Sequence, residues 1–154
     1  MAQFEFTVPT GFLMKLGQLS EVDKYAPKMI DESIPILVNE VKKSLEHHKR
    51  TGLMVKSIKA TKAGCKDGVY FAVVRPTGQS SKTMSTSGKV YMRPKPVRNM
   101  EIVAHIEYGT STQDGTPFLT KAYKDAEPAV LKKMEEVFNR EALANDKAEG
   151  ALPW

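Results

Sequence analysis

The apolar positions of this chain have helical spacing near both ends and alternate like strands in the middle. In the first helical stretch they recur every three or four residues, as on one face of a long amphipathic helix that ends before Gly52. Pro35 stands inside this pattern. The chain therefore forms either one helix kinked at the proline, which we favour, or a helix that begins there behind a Ser33 cap. The apolar face of this helix comprises Ile30, Ile34, Leu37, Val41 and Leu45.

Two strand-like runs follow, residues 57–61 and 69–75, and the turn between them contains Asp67 and Gly68. An Asp-Gly pair between such runs is typical of a tight hairpin, so we expect the two runs to pair in antiparallel fashion. The second run is rich in β-branched and aromatic residues up to Pro76. It therefore predicts the central strand of a small sheet.

Residues 77–88 are nearly all small or polar and indicate a mobile loop. Residues 89–92 are expected to return as a short strand that ends at Pro94 and Pro96, because proline cannot donate to a strand ladder. Residues 77–98 are thus predicted to form a protruding basic loop or hairpin.

A second long helix is predicted after residues 102–108, which themselves fit either a strand or a short helix. Pro117 is expected to open the long helix at its first position, where proline is favoured. After Ala144 the composition indicates a frayed tail, residues 145–154. The apolar face of the second helix comprises Leu119, Tyr123, Ala126, Val130, Met134 and Val137.

The predicted fold class is α+β, with a long N-terminal helix, a small antiparallel sheet carrying the basic hairpin, and a long C-terminal helix. The 154 residues, 41% of them hydrophobic, suit a single domain over 1–154 in which residues 1–9 are extended. No apolar run is long enough to span a membrane, and residues 1–9 show no secretory signal. A single cysteine, Cys65, suits a reducing cytoplasm.

Charge changes this picture, because the net charge of +5 is unevenly distributed. Residues 1–46 carry a net −2, residues 47–100 a net +11 and residues 101–154 a net −4. Such a basic middle indicates an interaction, and three readings remain open: nucleic acid held by Lys, Arg and aromatic side chains, a solvated hairpin with Phe71 in the core, or an acidic protein neighbour. The candidate interaction residues are Arg75, Lys82, Lys89, Tyr91, Arg93, Lys95 and Arg98. Trp154 is a further candidate, either an anchor in a neighbour's pocket or part of the frayed tail.

Candidate catalytic groups are few. His47 and His48 are adjacent and so point in different directions from a helix, unlike a metal-binding pair. His105 lies among apolar residues, where a half-buried, hydrogen-bonded histidine is expected. Cys65 has lysine neighbours but no histidine motif, and a thiol or hydrolase site around Cys65 and His105 is the weakest of the readings. The sequence predicts no enzyme, metal, cofactor or small-molecule substrate.

Two segments carry an ordered set of motifs. The first begins Thr-Gly-x-Leu and ends Ser-Ile. The second contains Glu-Tyr-Gly-Thr and is followed by Pro-Phe-Leu at a helix start. Together they resemble the tail-component, or tail-completion, family of long-tailed, non-contractile bacteriophages and prophages, over about residues 10–140. The motif residues are Thr51, Gly52, Leu53, Ser57, Ile58, Glu107, Tyr108, Gly109, Thr110, Pro117, Phe118 and Leu119.

The resemblance implies a structural virion protein that completes the tail or joins it to the head at the neck. It implies a homo-oligomeric ring, with six subunits expected, in contact with other neck or tail proteins and near the passage of DNA. Its location would be the virion, and the bacterial host cytoplasm during assembly. The family often has a proline shortly before Thr-Gly, where this chain has Lys49 and Arg50, and residues 82–98 follow no family pattern. A small basic nucleic-acid-binding module is the alternative.

Glu107 is the motif residue with the clearest physical question, because an acid in an apolar segment needs a partner. An ion pair or backbone hydrogen bonds inside the subunit are the first expectation, and a contact with another subunit is the second. The neighbouring motif residues are expected to allow tight turns at Gly52 and Gly109, and to anchor the last helix through Phe118.

Overall fold

The computed structural model describes residues 22–48, 52–85 and 87–149, and its architecture is α+β, as predicted. The helices are α1 (Val22–Glu46), α2 (Leu53–Ser57), α3 (Asn99–Tyr108) and α4 (Phe118–Glu149). The strands are β1 (Ile58–Ala60), β2 (Gly64–Lys66), β3 (Val69–Phe71), β4 (Val74–Pro76), β5 (Gln79–Met84), β6 (Val90–Arg98), β7 (Gly109–Thr110) and β8 (Gln113–Asp114). The predicted extended segment 1–9, Thr51 and Trp154 lie outside the described residues.

The core lies between α1 and α4, which run antiparallel. Tyr25 near the start of α1 meets Phe138 of α4 edge to face, with ring centroids 6.2 Å apart. At the other end His48, just after α1, lies 5.8 Å from the ring of Phe118 at the start of α4. Each helix buries a ridge with a spacing of four residues, and small side chains along the ridges allow close packing. The ridges are Tyr25, Met29, Ser33, Leu37, Val41 and Leu45 on α1, and Phe118, Ala122, Ala126, Val130, Met134 and Phe138 on α4.

The first helix is one element, as favoured from the sequence, and it continues through both Pro27 and Pro35. Ser33 does not cap a helix start. It is fully buried on the ridge, and its hydroxyl donates to the carbonyl of Ile30 at 3.1 Å. This bond inside the helix satisfies a polar group that packing has removed from water.

Residues 58–76 form a hairpin, here called the first hairpin, in which β1 pairs with β4 and β2 pairs with β3. Asp67 and Gly68 make its two-residue turn with φ of 53° and 79°, as Asp-Gly predicted. Between these two pairs of strands, residues 61–63 lie opposite residues 72–73. The one extra residue shifts the register in the middle of the hairpin. The prediction of a single central strand over 69–75 is therefore wrong. The bulge divides this run into β3 and β4, and each pairs with one strand only, so neither is central.

Two acidic residues of α1 hold the first hairpin against the helix. The Asp31 carboxylate accepts from the backbone N–H of Ala63 at 2.9 Å, and the Asp23 carboxylate accepts from the hydroxyl of Tyr70. The bond to Asp23 is the main cause that raises the pKa of Tyr70. The two acids are eight residues apart, so they lie about 80° apart around the helix and about two turns apart along it.

The second hairpin consists of β5 and β6, residues 79–98. Ser80 pairs with Val97 and Lys82 pairs with Met92, so one residue of β5 faces four residues of β6 between these pairs. This corrects two predictions, since 79–84 is a strand and not a loop, and β6 runs on to Arg98. The prolines 94 and 96 lie in the unpaired stretch, where no ladder bond is needed from them.

The remaining helices differ in detail from the sequence pattern. Residues 99–108 are helical, which settles the strand-or-helix ambiguity, and a short helix, Leu53–Ser57, stands where only strand was expected. Pro117 precedes α4 by one position, and its carbonyl accepts the helical bond from Lys121. The last helix extends to Glu149, beyond the predicted start of a tail at residue 145. In the described ranges, every helix is too short or too polar to cross a lipid bilayer.

Candidate functional site

The second motif segment forms a tight junction between α3 and α4, with Glu107 at its centre. Glu107 is 5% exposed, and its carboxylate accepts from the backbone N–H groups of Leu119 and Thr120 at 2.8 and 3.2 Å and from the Thr120 hydroxyl at 2.7 Å. These N–H groups belong to the first turn of α4, which has no partner for them within the helix. Glu107 thus caps a neighbouring helix, and its negative charge lies at the positive end of that helix.

The chain reverses between the two helices in a very small space. Gly109 has φ of 79°, and a methyl group on it would lie 2.6 Å from the Gln113 carbonyl oxygen and the Gly115 nitrogen. The Thr110 hydroxyl accepts from the backbone N–H of Thr112 at 3.3 Å. Glycine is therefore required at Gly109 by both conformation and contact, and the motif threonine stabilises the turn locally.

A buried polar network connects the first motif segment with the second hairpin. The Ser57 carbonyl accepts from both the N–H and the hydroxyl of Thr77 at 2.9 Å. The side chain of Asn99 donates to the Thr77 carbonyl at 2.6 Å and accepts from the Ser80 hydroxyl at 2.6 Å. Asn99 and Ser80 are 4% exposed, although Ser80 lies in the predicted polar loop and Asn99 lies outside every predicted element. Only the fold brings them together.

Both motif segments line one cavity of about 400 Å³, here called the basic pocket. It lies where the end of α1, the helix α2, the second hairpin, α3 and the loop before α4 approach one another. Its apolar wall comprises Leu45, Met54, Val55, Met84, Ile102 and Ile106. Its polar wall comprises His47, His48, Gly52, Ser80, Lys82, Thr83, Arg93, His105, Gln113 and Thr116.

The charge of the basic pocket has one sign. All three histidines of the chain, together with Lys82 and Arg93, line it, whereas no aspartate or glutamate does among the described residues. The histidines do not form a metal centre, because no group of three potential ligand side chains comes together in the described part of the chain. Sequence patterns gave these histidines no common role. They line the same cavity because contacts between distant segments bring them to it.

The predicted interaction residues of the basic middle differ in how far they are exposed to solvent. Arg93 is partly buried in the basic pocket, whereas Tyr91 is about half exposed. Phe71, expected in the core if the hairpin were merely solvated, is 44% exposed and lies over Gly64 of the paired strand. The exposed cations of this set are Arg75, Lys82, Lys89, Lys95 and Arg98, of which Lys82 also lines the basic pocket.

Several other candidates have plain structural positions. Cys65 is exposed opposite Tyr70, and His105 is exposed rather than half-buried, contrary to prediction. Of the motif residues, Ile58 and Phe118 are buried in the core, while Leu53 and Tyr108 are exposed. Buried motif residues thus have structural roles, and the exposed ones are free to contact other molecules.

No protein-family model matches this chain, and no curated protein and no solved structure matches it significantly.

Proposed function

We propose that this protein is a structural subunit of a bacteriophage or prophage virion, which completes the tail or joins it to the head. The observation that carries the proposal is the ordered set of motifs from Thr51-Gly52 to Pro117-Phe118-Leu119. Its support from the fold is that these separated segments have linked roles, with Glu107 capping α4 and both segments lining the basic pocket. In this view the motifs maintain the shape of a subunit and do not perform a reaction.

Assembly as a homo-oligomeric ring, with six subunits expected, has separate support in the two hairpins. Val69 and Met92 are 63% and 68% exposed, and Val90 and Tyr91 are each more than half exposed. Exposed apolar groups of this density, next to open strand edges, are typical of surfaces that bind another protein chain. A head-to-tail interface of this kind closes into a ring when the rotation between subunits permits.

The proposal is tested by cryo-electron microscopy of particles that carry a tagged copy of the subunit. We expect density for the tag as a ring at the neck or at the head-proximal end of the tail. Particles made without the protein should accumulate as separate heads and tails. Intact infectious particles without the protein, or a tag found elsewhere, would contradict the proposal.

A pair of matched variants tests the assembly surface. Met92→Lys places a charge on the exposed apolar strand and should reduce incorporation into particles at least tenfold. Gln79→Lys adds the same charge to an exposed polar position of the same hairpin and should leave incorporation unchanged. Equal incorporation of both variants would show that this apolar surface is not an interface.

The second candidate is a nucleic-acid-binding module, favoured by the exposed cations and the absence of any acid between Asp67 and Glu101. It predicts a gel shift with DNA that weakens steeply as salt increases, because phosphate contacts release counterions. Lys95→Ala and Arg98→Ala should each reduce the slope of log affinity against log salt by about 0.9. Absence of binding at low salt would exclude this function.

A further inference from the structure

Arg93 has a polar group that the described structure leaves without a partner. Its Nε–H is shielded from solvent and makes no hydrogen bond with any described residue. Buried polar groups are almost always paired, because an unmet hydrogen bond carries the full cost of desolvation. Arg93 is therefore a residue of the wall of the basic pocket whose hydrogen bonding is incomplete within the described structure.

Arg93 lies at the start of the irregularly paired part of the second hairpin. Arg93 is the first of the four residues of β6 that face a single residue of β5, directly after the pair Lys82–Met92. Successive side chains of a strand point to opposite faces, so Met92 is exposed, whereas Arg93 is partly buried and lines the basic pocket.

The other basic side chains reach the same cavity from different elements. Lys82 comes from β5, His47 and His48 from the turn after α1, and His105 from α3. Because no carboxylate lines the cavity among the described residues, these groups have no internal counter-charge in it. The charges of Lys82 and Arg93 around a cavity without an acid favour an anion, and polar donors on several walls suit an anion that accepts hydrogen bonds in several directions.

We propose that the basic pocket binds a phosphate group, with the guanidinium of Arg93 and the ammonium of Lys82 as its two cations. A phosphate presents oxygens in a tetrahedral arrangement and carries up to two charges, whereas a carboxylate has two oxygens in one plane and a single charge. The cavity volume of about 400 Å³ lies in the range of small-molecule sites, and the apolar wall could cover the organic part of a phosphoester. This inference does not depend on the proposed virion role.

The direct test follows the Arg93 side chain by nuclear magnetic resonance of the ¹⁵N-labelled full chain. Inorganic phosphate is added at constant pH and constant ionic strength, with sodium chloride as the balancing salt. We expect saturable shifts of the Arg93 Nε–H signal and of the backbone amides of Thr83 and Ile106. Acetate at the same ionic strength should shift them much less. No saturable change with phosphate, or an equal response to acetate, would overturn the proposal.

Matched variants separate this pocket from the general basic charge of the hairpin. Arg93→Gln and Lys82→Gln should each weaken phosphate binding about tenfold or more, the effect of losing one charge-assisted hydrogen bond. Arg98→Gln removes the same charge from an exposed position of the same strand, outside the pocket, and should change binding less than twofold. If Arg98→Gln weakens binding as much as Arg93→Gln, the pocket is not the site. The titration of the unaltered chain stands even if a pocket variant fails to fold.

The source of the phosphate is distinguished by comparing inorganic phosphate with a mononucleotide. Tighter binding of the mononucleotide, with added shifts at Met54 and Ile102 on the apolar wall, supports a small phosphoester as the ligand. Equal binding supports the free ion. A short DNA duplex that binds more tightly than both, with equal loss in Arg93→Gln and Arg98→Gln, would overturn the pocket in favour of a surface.

Discussion

The helix pair and the two hairpins use their apolar residues in opposite ways. Along α1 and α4 the apolar ridges are buried, and Val130 and Val137 have no exposed surface. Along the hairpins, Val69 and Met92 are more than 60% exposed, although each hairpin is tied to the helices by specific hydrogen bonds. The difference indicates that the helix pair supplies most of the stability of the protein, while the exposed apolar side chains of the hairpins contribute little to it.

The largest expected effect comes from removing an aromatic side chain of the helix pair. Phe138→Ala should lower the free energy of unfolding by about 3–5 kcal/mol, because Phe138 is buried and packs against Tyr25. Tyr91→Ala on the second hairpin should change it by no more than about 0.5 kcal/mol. Urea unfolding followed by circular dichroism measures both. Similar losses for the two variants would contradict the division between core and surface.

The next effect concerns the junction between α3 and α4. Gly109→Ala should cost at least about 2 kcal/mol, because it combines a positive φ with a methyl group 2.6 Å from backbone atoms. Gly68→Ala has a similar φ of 79° but open space around it, and should cost about 1 kcal/mol. The same unfolding measurement applies. A loss at Gly68 equal to that at Gly109 would show that conformation alone, and not close packing, governs the junction.

A smaller effect is expected at the carboxylate that caps α4. Glu107→Gln should cost about 1–3 kcal/mol, because the amide has one acceptor oxygen and no charge for the two N–H groups and the hydroxyl that now bind Glu107. Glu135→Gln on the exposed side of α4 is the matched control and should be nearly neutral. If Glu107→Gln instead leaves unfolding unchanged but blocks ring assembly, the role of Glu107 is at a subunit contact.

The smallest effect lies on the solvent side of the helix pair. The guanidinium of Arg140 holds the pKa of Glu32 below its ordinary value of about 4.5, and Lys28, 2.6 Å from Glu141, with Arg140 lowers the pKa of that carboxyl. A carboxylate with a lowered pKa contributes its stabilisation fully above the ordinary value and loses it as the pH falls through the lowered one. The melting temperatures of the native chain and Arg140→Gln should therefore differ at pH 7 and converge as the pH falls below about 4.5. Lys132→Gln, exposed on the same helix, should show no such convergence.

Local patterns in the sequence were sufficient for the two long helices and for the turn of the first hairpin. The four-residue spacing of Leu37, Val41 and Leu45 predicted α1, and Asp67-Gly68 predicted the turn of the first hairpin, because both signals depend on neighbouring residues alone. The prediction of a loop over residues 77–88 was wrong in its first half. A strand that is held by Ser80, Asn99 and backbone pairing needs no apolar side chains of its own. The prediction that the strand ends at Pro94 and Pro96 was wrong, because both prolines lie in a stretch of β6 that is not paired.

The amino-acid sequence by itself determined the two amphipathic helices, the α+β class and the excess of positive charge in the middle of the chain. Those properties follow from spacing and composition, which are complete within each segment. Only the tertiary structure decided that Glu107 caps α4, that Phe71 is exposed, and that the three histidines share a pocket with Arg93. Each of these depends on how separate elements approach one another, which spacing and composition within a single segment do not encode.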